Sequence, residues 1–278
     1  MMRRPVALLW LATLAFAGCT GLSREAPSVF TEPARDSLTF WGHSCTYLDV
    51  GGLGIVTDPA FEKVLWWRHR FIGSPPADVL RGTRVILISH AHNDHLSPAS
   101  LERFPAGAQV LCPVPSGRYL KKVSQPVKTM KPGDQFEIDG VRIVAVAVHH
   151  PGTRMSLDAE QDGRALGWVI ITPEATVFYS GDTDFCSAFA DVGWTYAPDI
   201  ALLNINGHLK PADASRAAEA LRAPVVIPTH WGAYGYWIIG GNRRPRDEGD
   251  LKRLLGERLH VLNLGESFAL EKVSRSTP

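Results

Sequence analysis

The sequence predicts an α/β domain built from two sheets with helices on their outer faces. Short apolar strands come first, and two glycines at 51–52 mark a hairpin turn between Thr46–Val50 and Leu53–Thr57. The run Val85–Ile88 has four consecutive apolar residues, which is typical of a strand buried on both faces. Strands then alternate with helical segments, of which the alanine-rich stretch Ala212–Leu221 has the strongest helical composition.

The remaining elements follow from the same patterns. Apolar runs between turn residues predict further strands at Leu38–Trp41, Arg84–Ser89, Gln109–Cys112, Gln135–Ile138, Val141–Val148, Gly167–Thr172, Thr176–Ser180, Asp199–Leu203, Val225–Pro228, His260–Leu262 and Ser267–Leu270. Segments without strand alternation predict helices at Pro98–Phe104, Ser116–Val123, Pro211–Arg222 and Glu248–Glu257. The sequence contains no internal repeat that would suggest a solenoid.

The first residues have the pattern of an export signal. Arg3 and Arg4 precede an apolar run that ends in Gly18-Cys19, and the run is too short to span a bilayer comfortably. The ending resembles the lipobox of bacterial lipoproteins, which implies a signal peptide at 1–18 and a lipid on Cys19; an ordinary cleaved signal is the alternative. Residues 19–36 are predicted to tether the domain at 37–278. We therefore expect an exported, lipid-anchored protein at the cell envelope, and Thr20, where an Asp would signal inner-membrane retention, favours the periplasmic side of the outer membrane.

Composition limits the classes of partner. The chain has 278 residues, is 45% hydrophobic and 21% charged, and carries a net charge of +1 with histidine neutral. These values are typical of a globular protein and give no reason to expect a nucleic-acid partner. Beyond Cys19 three cysteines remain, Cys45, Cys112 and Cys186, with a spacing unlike a cysteine zinc cage. We interpret them as mostly buried structural residues, although one disulfide among them is compatible with export.

One short segment carries the chemistry. Three histidines and an aspartate, His90, His92, Asp94 and His95, directly follow the buried strand. Burying so many polar groups is costly unless they are coordinated, and a pair of divalent metal ions satisfies all of them. Nitrogen and oxygen donors without thiolates suit Zn²⁺, with Mn and Fe as alternatives. The other interpretations are a histidine-rich surface loop or an adventitious metal-binding tract.

This segment resembles the signature of the metallo-β-lactamase superfamily, and later motifs appear in the family's order. They are His149-His150, Gly181-Asp182, Thr229-His230 and Thr57-Asp58-Pro59. The resemblance implies the metallo-β-lactamase fold, an αββα sandwich of two mixed sheets with outer helices. It also implies two metal ions that share a water molecule and deliver it as hydroxide, without a serine or cysteine nucleophile.

Carried over residue by residue, the resemblance assigns His90, His92 and a histidine of the 149–150 pair to one metal ion. The other ion takes Asp94, His95 and His230, and Asp182 bridges the two. Asp94, Asp182 and His230 are thus the expected catalytic residues among the ligands. His150 is favoured over His149, which would then lie beside the site. Asp58 resembles the family's buried aspartate that orients a ligand histidine; its alternative is a simple turn residue before Pro59.

The opening Trp41-Gly42-His43 resembles the branch that contains N-acylphosphatidylethanolamine phospholipase D and L-ascorbate-6-phosphate lactonase. His43 either approaches the metal ions or only shapes the first hairpin, and His208 and Arg154 either contact substrate or lie in solvent. The segment Glu62–Pro75 departs from the family. Its Trp66 and Trp67, beside Arg68 and Arg70, either contact lipid headgroups or pack a loop against the core.

These motifs predict a metal-dependent hydrolase acting on a phosphodiester or an N-acyl phospholipid-like substrate at the membrane to which the chain is anchored. A lactonase or another ester or amide hydrolase of the same fold is the alternative. Two interpretations from other classes are a lipoprotein that binds metal or ligand without turnover and a di-iron flavin enzyme. A complete two-metal ligand set disfavours the first, and the second needs a flavin domain for which the chain has no length left.

Overall fold

The computed structural model describes residues 30, 32–62, 68–70, 72–150, 165–205, 207–236, 240–241, 245 and 247–270. The signal peptide, Cys19, Trp66, Trp67 and Arg154 therefore lie outside the described residues, as does most of the tether.

The described chain forms sixteen strands and five α-helices. The strands are β1 (Ser37–Phe40), β2 (Thr46–Val50), β3 (Leu53–Thr57), β4 (Arg68–Arg70), β5 (Thr83–Leu87), β6 (Gln109–Pro113), β7 (Val127–Met130), β8 (Gln135–Ile138), β9 (Val141–Ala147), β10 (Leu166–Ile171), β11 (Thr176–Tyr179), β12 (Ile200–Asn204), β13 (Val225–Thr229), β14 (Tyr234–Tyr236), β15 (Gly240–Gly241) and β16 (Ser267–Ala269). The helices are α1 (Ala77–Leu80), α2 (Pro98–Leu101), α3 (Ala188–Thr195), α4 (Pro211–Leu221) and α5 (Glu248–Leu255), with 3-10 turns at Val114–Tyr119 and Gly256–Arg258.

Two mixed sheets and one small sheet organise these strands. The first sheet has the order β16-β1-β2-β3-β5-β6-β7, with β3, β5, β6 and β7 parallel to one another. The second has the order β13-β12-β11-β10-β9-β8, with β11, β12 and β13 parallel. The third joins β15, β14 and β4. Parallel strands end at a common edge, so each large sheet presents several loops together at one side.

The core lies between the two large sheets, and helices cover their outer faces. β5 shows the alternation: Val85 and Leu87 belong to the cluster between the sheets, whereas Ile86 and Ile88 belong to the cluster under α1 and α2. On the second sheet, α3, α4 and α5 bury residues such as Phe189 against the outer face. The predicted αββα sandwich of two mixed sheets with outer helices is confirmed.

Several predicted elements are wrong in type or length. The predicted strand His260–Leu262 is irregular, because only the amide of His260 bonds to β13 while Leu262 packs into the core. The predicted helix Ser116–Val123 is a 3-10 turn at Val114–Tyr119, where Pro115 and Gly117 disfavour an α-helix. The helix at Pro98 ends at Leu101 rather than Phe104, since Pro105 disfavours helical geometry in the residue before it.

Two further features of the described residues are the lengths of the helices and the state of the cysteines. Within the described ranges, no helix has the length and apolar composition needed to cross a membrane. Cys45, Cys112 and Cys186 are free thiols, and the first two are buried as expected of structural residues.

Candidate metal centre

Histidine and aspartate side chains gather where strands of both sheets end at the same side of the molecule. Asp58 follows β3, the segment Ser89–His95 follows β5 and His150 follows β9. Asp182 follows β11 and His230 follows β13. The sheets hold the strand ends in place while the loops stay accessible, which is how folds of this kind position reactive groups.

The first cluster consists of His90, His92, His150 and Asp182. One nitrogen or oxygen atom from each lies within 4.8 Å of those of the other three. Nε2 of His150 is 3.3 Å from Nδ1 of His92, and Nε2 of His90 is 3.8 Å from Oδ2 of Asp182. All but His92 are buried. These are the three histidines and the carboxylate that the resemblance assigned to one metal ion.

The second cluster consists of His43, Asp94, His95 and His230, again with one ligand atom each within 4.8 Å. Nε2 of His230 lies 3.9 Å from Oδ2 of Asp94, and Nε2 of His43 lies 3.2 Å from the same oxygen. The rings of His43 and His230 are 4.0 Å apart. His43 therefore enters the site rather than only shaping the first hairpin.

Asp182 joins the two clusters. Its Oδ2 is 3.2 Å from Nε2 of His95 and 3.5 Å from Nε2 of His230 in the second cluster. The same oxygen is 3.8 Å from Nε2 of His90 in the first cluster. The side-chain amide of Asn204 donates a hydrogen bond to Oδ1. Burial alone would raise the pKa of Asp182, but His230, His95 and His208 outweigh burial and hold that pKa well below its usual range. The carboxylate is thus charged and central, as a bridging ligand must be.

The donor set fits divalent metal ions. Nε2 of His90 and of His92 is buried and has no hydrogen-bond partner among the described residues, an arrangement that costs free energy unless a ligand is coordinated there. Burial lowers the pKa of His90 well below its usual value and lowers the pKa of His150 to about 3, despite the opposing charge of Asp182. Both imidazoles are therefore neutral at pH 7, which is the form that binds a metal ion.

Asp58 holds His95 in a fixed orientation. Its Oδ2 is 2.7 Å from Nδ1 of His95 and also accepts hydrogen bonds from the hydroxyls of Tyr179 and Ser89, each at 2.5 Å. The backbone amide of Ser89 donates to Oδ1 at 2.7 Å. Because the carboxylate occupies Nδ1, Nε2 of His95 points to Oδ2 of Asp182, at 3.2 Å. Burial would lower the pKa of His95, but the charges of Asp182 and Asp58 outweigh burial and raise that pKa. The predicted orienting role of Asp58 matches this geometry, and Asp58 is more than a turn residue.

Three site residues have left-handed backbones that non-glycine residues rarely adopt. The φ angles are +59° at His43, +35° at Asp58 and +69° at His230. Each such conformation costs on the order of 1–3 kcal/mol and persists only where the surroundings enforce it. His43 and His230 enforce each other, because the amide of His43 donates to Trp231 and the amide of His230 donates to His43.

His208 and His149 have different positions. Nε2 of His208 is 2.9 Å from Oδ2 of Asp182, and its side chain is 18% exposed, so it contacts the site while remaining partly accessible to solvent. Burial would lower its pKa, but the charge of Asp182 outweighs burial and raises it. The side chain of His149 is 61% exposed and lies 3.8 Å from Asp184. Between the paired histidines, the structure places His150 in the cluster and His149 at the rim.

The sequence leaves two alternatives for Arg70, contact with lipid headgroups or packing of its loop against the core. Its guanidinium turns inward and donates to the backbone carbonyls of Trp41, Ala60 and Gly73. Of the two alternatives, packing of this loop residue against the core is the one observed.

Sequence reasoning missed three residues that support the site: Tyr179, Asn204 and Tyr234. Tyr179 and Asn204 reach Asp58 and Asp182 from strands β11 and β12, and Tyr234 packs its ring edge-on against His43 at 4.8 Å. Tyr179 and Asn204 are the last residues of apolar strands, as are the residues that precede the histidine and aspartate motifs, and this position could have indicated them. Nothing local in the sequence marks Tyr234.

The fold and the two clusters define a protein of the metallo-β-lactamase fold with residues able to hold metal ions. The chain belongs to the β-lactamase superfamily: the family described as Beta-lactamase superfamily domain matches residues 54–231. A UPF0173 metal-dependent hydrolase of Nitratidesulfovibrio vulgaris is 30% identical over 248 residues, covering 84% of this chain and 95% of that protein. The chain is accordingly a metal-dependent hydrolase of this superfamily.

Solved structures share the fold at lower identity. Igni18, a metallo hydrolase of Ignicoccus hospitalis, matches with a TM-score of 0.64 at 24% identity and covers 84% of this chain and 97% of its own. An isothiocyanate hydrolase from Delia radicum gut bacteria matches with a TM-score of 0.67 at 18% identity, over 85% of this chain and 100% of its own. Both likenesses concern the fold.

Proposed function

We propose that the chain is a two-metal hydrolase whose first metal ion is held by His90, His92 and His150. The second is held by Asp94, His95 and His230, and Asp182 is shared. The observation that carries this proposal is the position of Asp182, which contacts histidines of both clusters through one oxygen. A carboxylate placed in this way would be able to bind two ions and so set the spacing between them.

Divalent metal ions at such a centre lower the pKa of water and stabilise negative charge on a carbonyl or phosphoryl oxygen. The chain's own residues prepare the site. Asp58 fixes the ring of His95, and Asn204 fixes the carboxylate of Asp182 by donating to its second oxygen. Nε2 of His208 is at hydrogen-bond distance from Asp182, 2.9 Å, so only its other ring nitrogen, when protonated, would be able to donate to an anionic oxygen of the substrate.

The favoured substrate is a phosphodiester or an N-acyl phospholipid-like molecule. The Trp41-Gly42-His43 opening supports this choice through its resemblance to the branch that contains N-acylphosphatidylethanolamine phospholipase D. A further support is the stretch 103–133, which has six lysines and arginines and no acidic residue. Within it, Val114 is 46% exposed and follows β6, which ends at the same edge as β5 and its histidines. An exposed apolar residue among basic ones suits an anionic lipid surface.

A substrate panel tests this choice. At equal metal loading, bis-p-nitrophenyl phosphate and N-acyl phosphatidylethanolamine in mixed micelles are expected to turn over faster than a sugar-phosphate lactone and a chromogenic cephalosporin. The measurement is kcat/KM for each compound, with chelator-treated protein as the control.

Turnover of the lactone with both phosphodiesters untouched would contradict the phosphodiester proposal and favour the lactonase alternative. Metal uptake without turnover of any compound, in a panel widened to simple esters and amides, would favour a binding lipoprotein.

We also propose that Cys19 carries a lipid that anchors the chain at the cell envelope. The lipobox-like ending Phe16-Ala17-Gly18-Cys19 supports this proposal. The variant Cys19→Ser is expected to leave the membrane fraction or to stall before cleavage of the signal. Fractionation followed by mass spectrometry of the N-terminal peptide checks it, with Cys186→Ser as a matched control that keeps the wild-type distribution. A wild-type N-terminal peptide without lipid on Cys19, or a Cys19→Ser variant that is cleaved and distributed as wild type, would leave an ordinary signal as the explanation.

A further inference from the structure

Arg70 occupies an unusual environment for a charged side chain. Its guanidinium donates to Trp41 O at 3.0 Å, Ala60 O at 3.2 Å and Gly73 O at 3.1 Å. It also lies 5.2 Å from the ring centre of Phe61 and 5.9 Å from that of Tyr234. Among the described residues no carboxylate forms an ion pair with it. Three carbonyls and two aromatic rings therefore satisfy this cation, an arrangement that suits the planar five-donor guanidinium and not an ammonium group.

Two of these carbonyls belong to segments that enter the metal centre. Trp41 is two residues before His43, whose Nε2 is 3.2 Å from Asp94. Ala60 is two residues after Asp58, whose carboxylate is 2.7 Å from Nδ1 of His95. A single guanidinium thus joins the segment that contacts Asp94 to the segment that orients His95.

Tyr234 reinforces the same link. Its hydroxyl donates to Ala60 O at 2.7 Å, and its ring packs edge-on against His43 at 4.8 Å. Its backbone pairs with Arg70 between β14 and β4. The small third sheet therefore places Arg70 and Tyr234 side by side beneath the second cluster. Within the described part of the chain, neither residue makes a hydrogen bond, ion pair or ring contact with His90, His92 or His150, which follow strands β5 and β9.

We propose that Arg70 is a positioning residue for the second metal site, and this inference rests on the proposed two-metal function. It fixes the distance between the His43 and Asp58 segments and so holds Asp94 and His95 where they bind the same ion. Loss of the guanidinium frees both segments, and the first cluster is affected less, because Asp58 reaches it only through the Ser89 hydroxyl beside His90. The consequence is selective: the affinity for the second metal ion falls much more than the affinity for the first.

The test is a metal titration of Arg70→Met and Arg70→Lys, with Co²⁺ absorption and elemental analysis as readouts and no substrate present. For Arg70→Met we expect the dissociation constant of the second ion to rise roughly 10- to 100-fold and that of the first to stay within about threefold, as for other residues that orient ligands. Arg70→Lys keeps the charge and part of the hydrogen bonding, so it is expected to fall between Arg70→Met and wild type. Arg103→Met is the matched control, because Arg103 also lies over Phe61, at 5.7 Å, but donates to Pro75.

A second-site affinity of Arg70→Met within about threefold of wild type would overturn the inference, as would an equal loss at both sites. If Arg70→Met fails to fold, a wild-type second-site affinity in Arg70→Lys overturns it and a selectively weakened one supports it. These outcomes are separable from failure of the proposed function. A wild-type chain that takes up no second ion contradicts both, whereas two tight sites in wild type and in both variants contradict only the role of Arg70.

Discussion

Replacing Asp182 by alanine is expected to lower turnover by roughly 100- to 1000-fold, because positioned charge at such a centre contributes on the order of 3–4 kcal/mol to transition-state stabilisation. The carboxylate contacts Nε2 of His95 at 3.2 Å and of His230 at 3.5 Å, and it lies beside His90 as well. Its removal takes away the one group shared by both clusters. Turnover and thermal unfolding measured on the same sample separate loss of chemistry from loss of fold.

Asp184→Ala is the matched control, since Asp184 lies two residues further along the same loop and is 64% exposed in its side chain. It is expected to keep wild-type turnover. Activity of Asp182→Ala within about threefold of wild type would show that Asp182 does not bridge the ions, given that a bridging ligand sets the geometry of the whole centre.

The second large effect is expected at the paired histidines. His150→Ala should lower turnover by roughly 100-fold or more and release the first metal ion, whereas His149→Ala should stay within about twofold of wild type. The reason is their placement: His150 is buried with Nε2 3.3 Å from His92, and the side chain of His149 is 61% exposed. The measurement is kcat and metal content for both variants prepared in parallel. Equal losses in the two variants would contradict the assignment of His150 alone as the ligand.

Much of the fold was predictable because the strands differ from their surroundings in local composition. The apolar run around Val85 and the hairpin at Gly51 locate β5, β2 and β3 without reference to the rest of the chain. Elements that depend on distant partners were not predictable. Strands β4 and β14 exist through pairing with each other, and helix α3 was missed although it packs against the second sheet. The prediction of a strand at His260–Leu262 was wrong because apolar residues can be buried without strand pairing. Leu262 packs into the core, but only the amide of His260 forms a backbone hydrogen bond to β13.

In the metal centre too, features encoded locally were predictable and features that depend on distant residues were not. Its proposed ligands were predictable because each lies at the end of an apolar strand in a motif of unusual composition. The supporting contacts were not, since Tyr179 reaches Asp58 across 121 residues and Arg70 reaches Trp41 across 29. The alternatives for His43 and Arg70 stayed open in the sequence for this reason. The direction of an arginine side chain depends on which carbonyls the fold brings near it, and the local pattern of aromatics and arginines does not reveal that.

The most direct measurement of the central claim is elemental analysis of the purified chain after reconstitution in turn with Zn²⁺, Mn²⁺ and Fe²⁺. Two clusters that share Asp182 predict close to two metal ions per chain, and the Asp182→Ala variant is expected to hold fewer. A stoichiometry that stays near zero with all three metals would contradict the account. In that case the buried histidines would need another explanation.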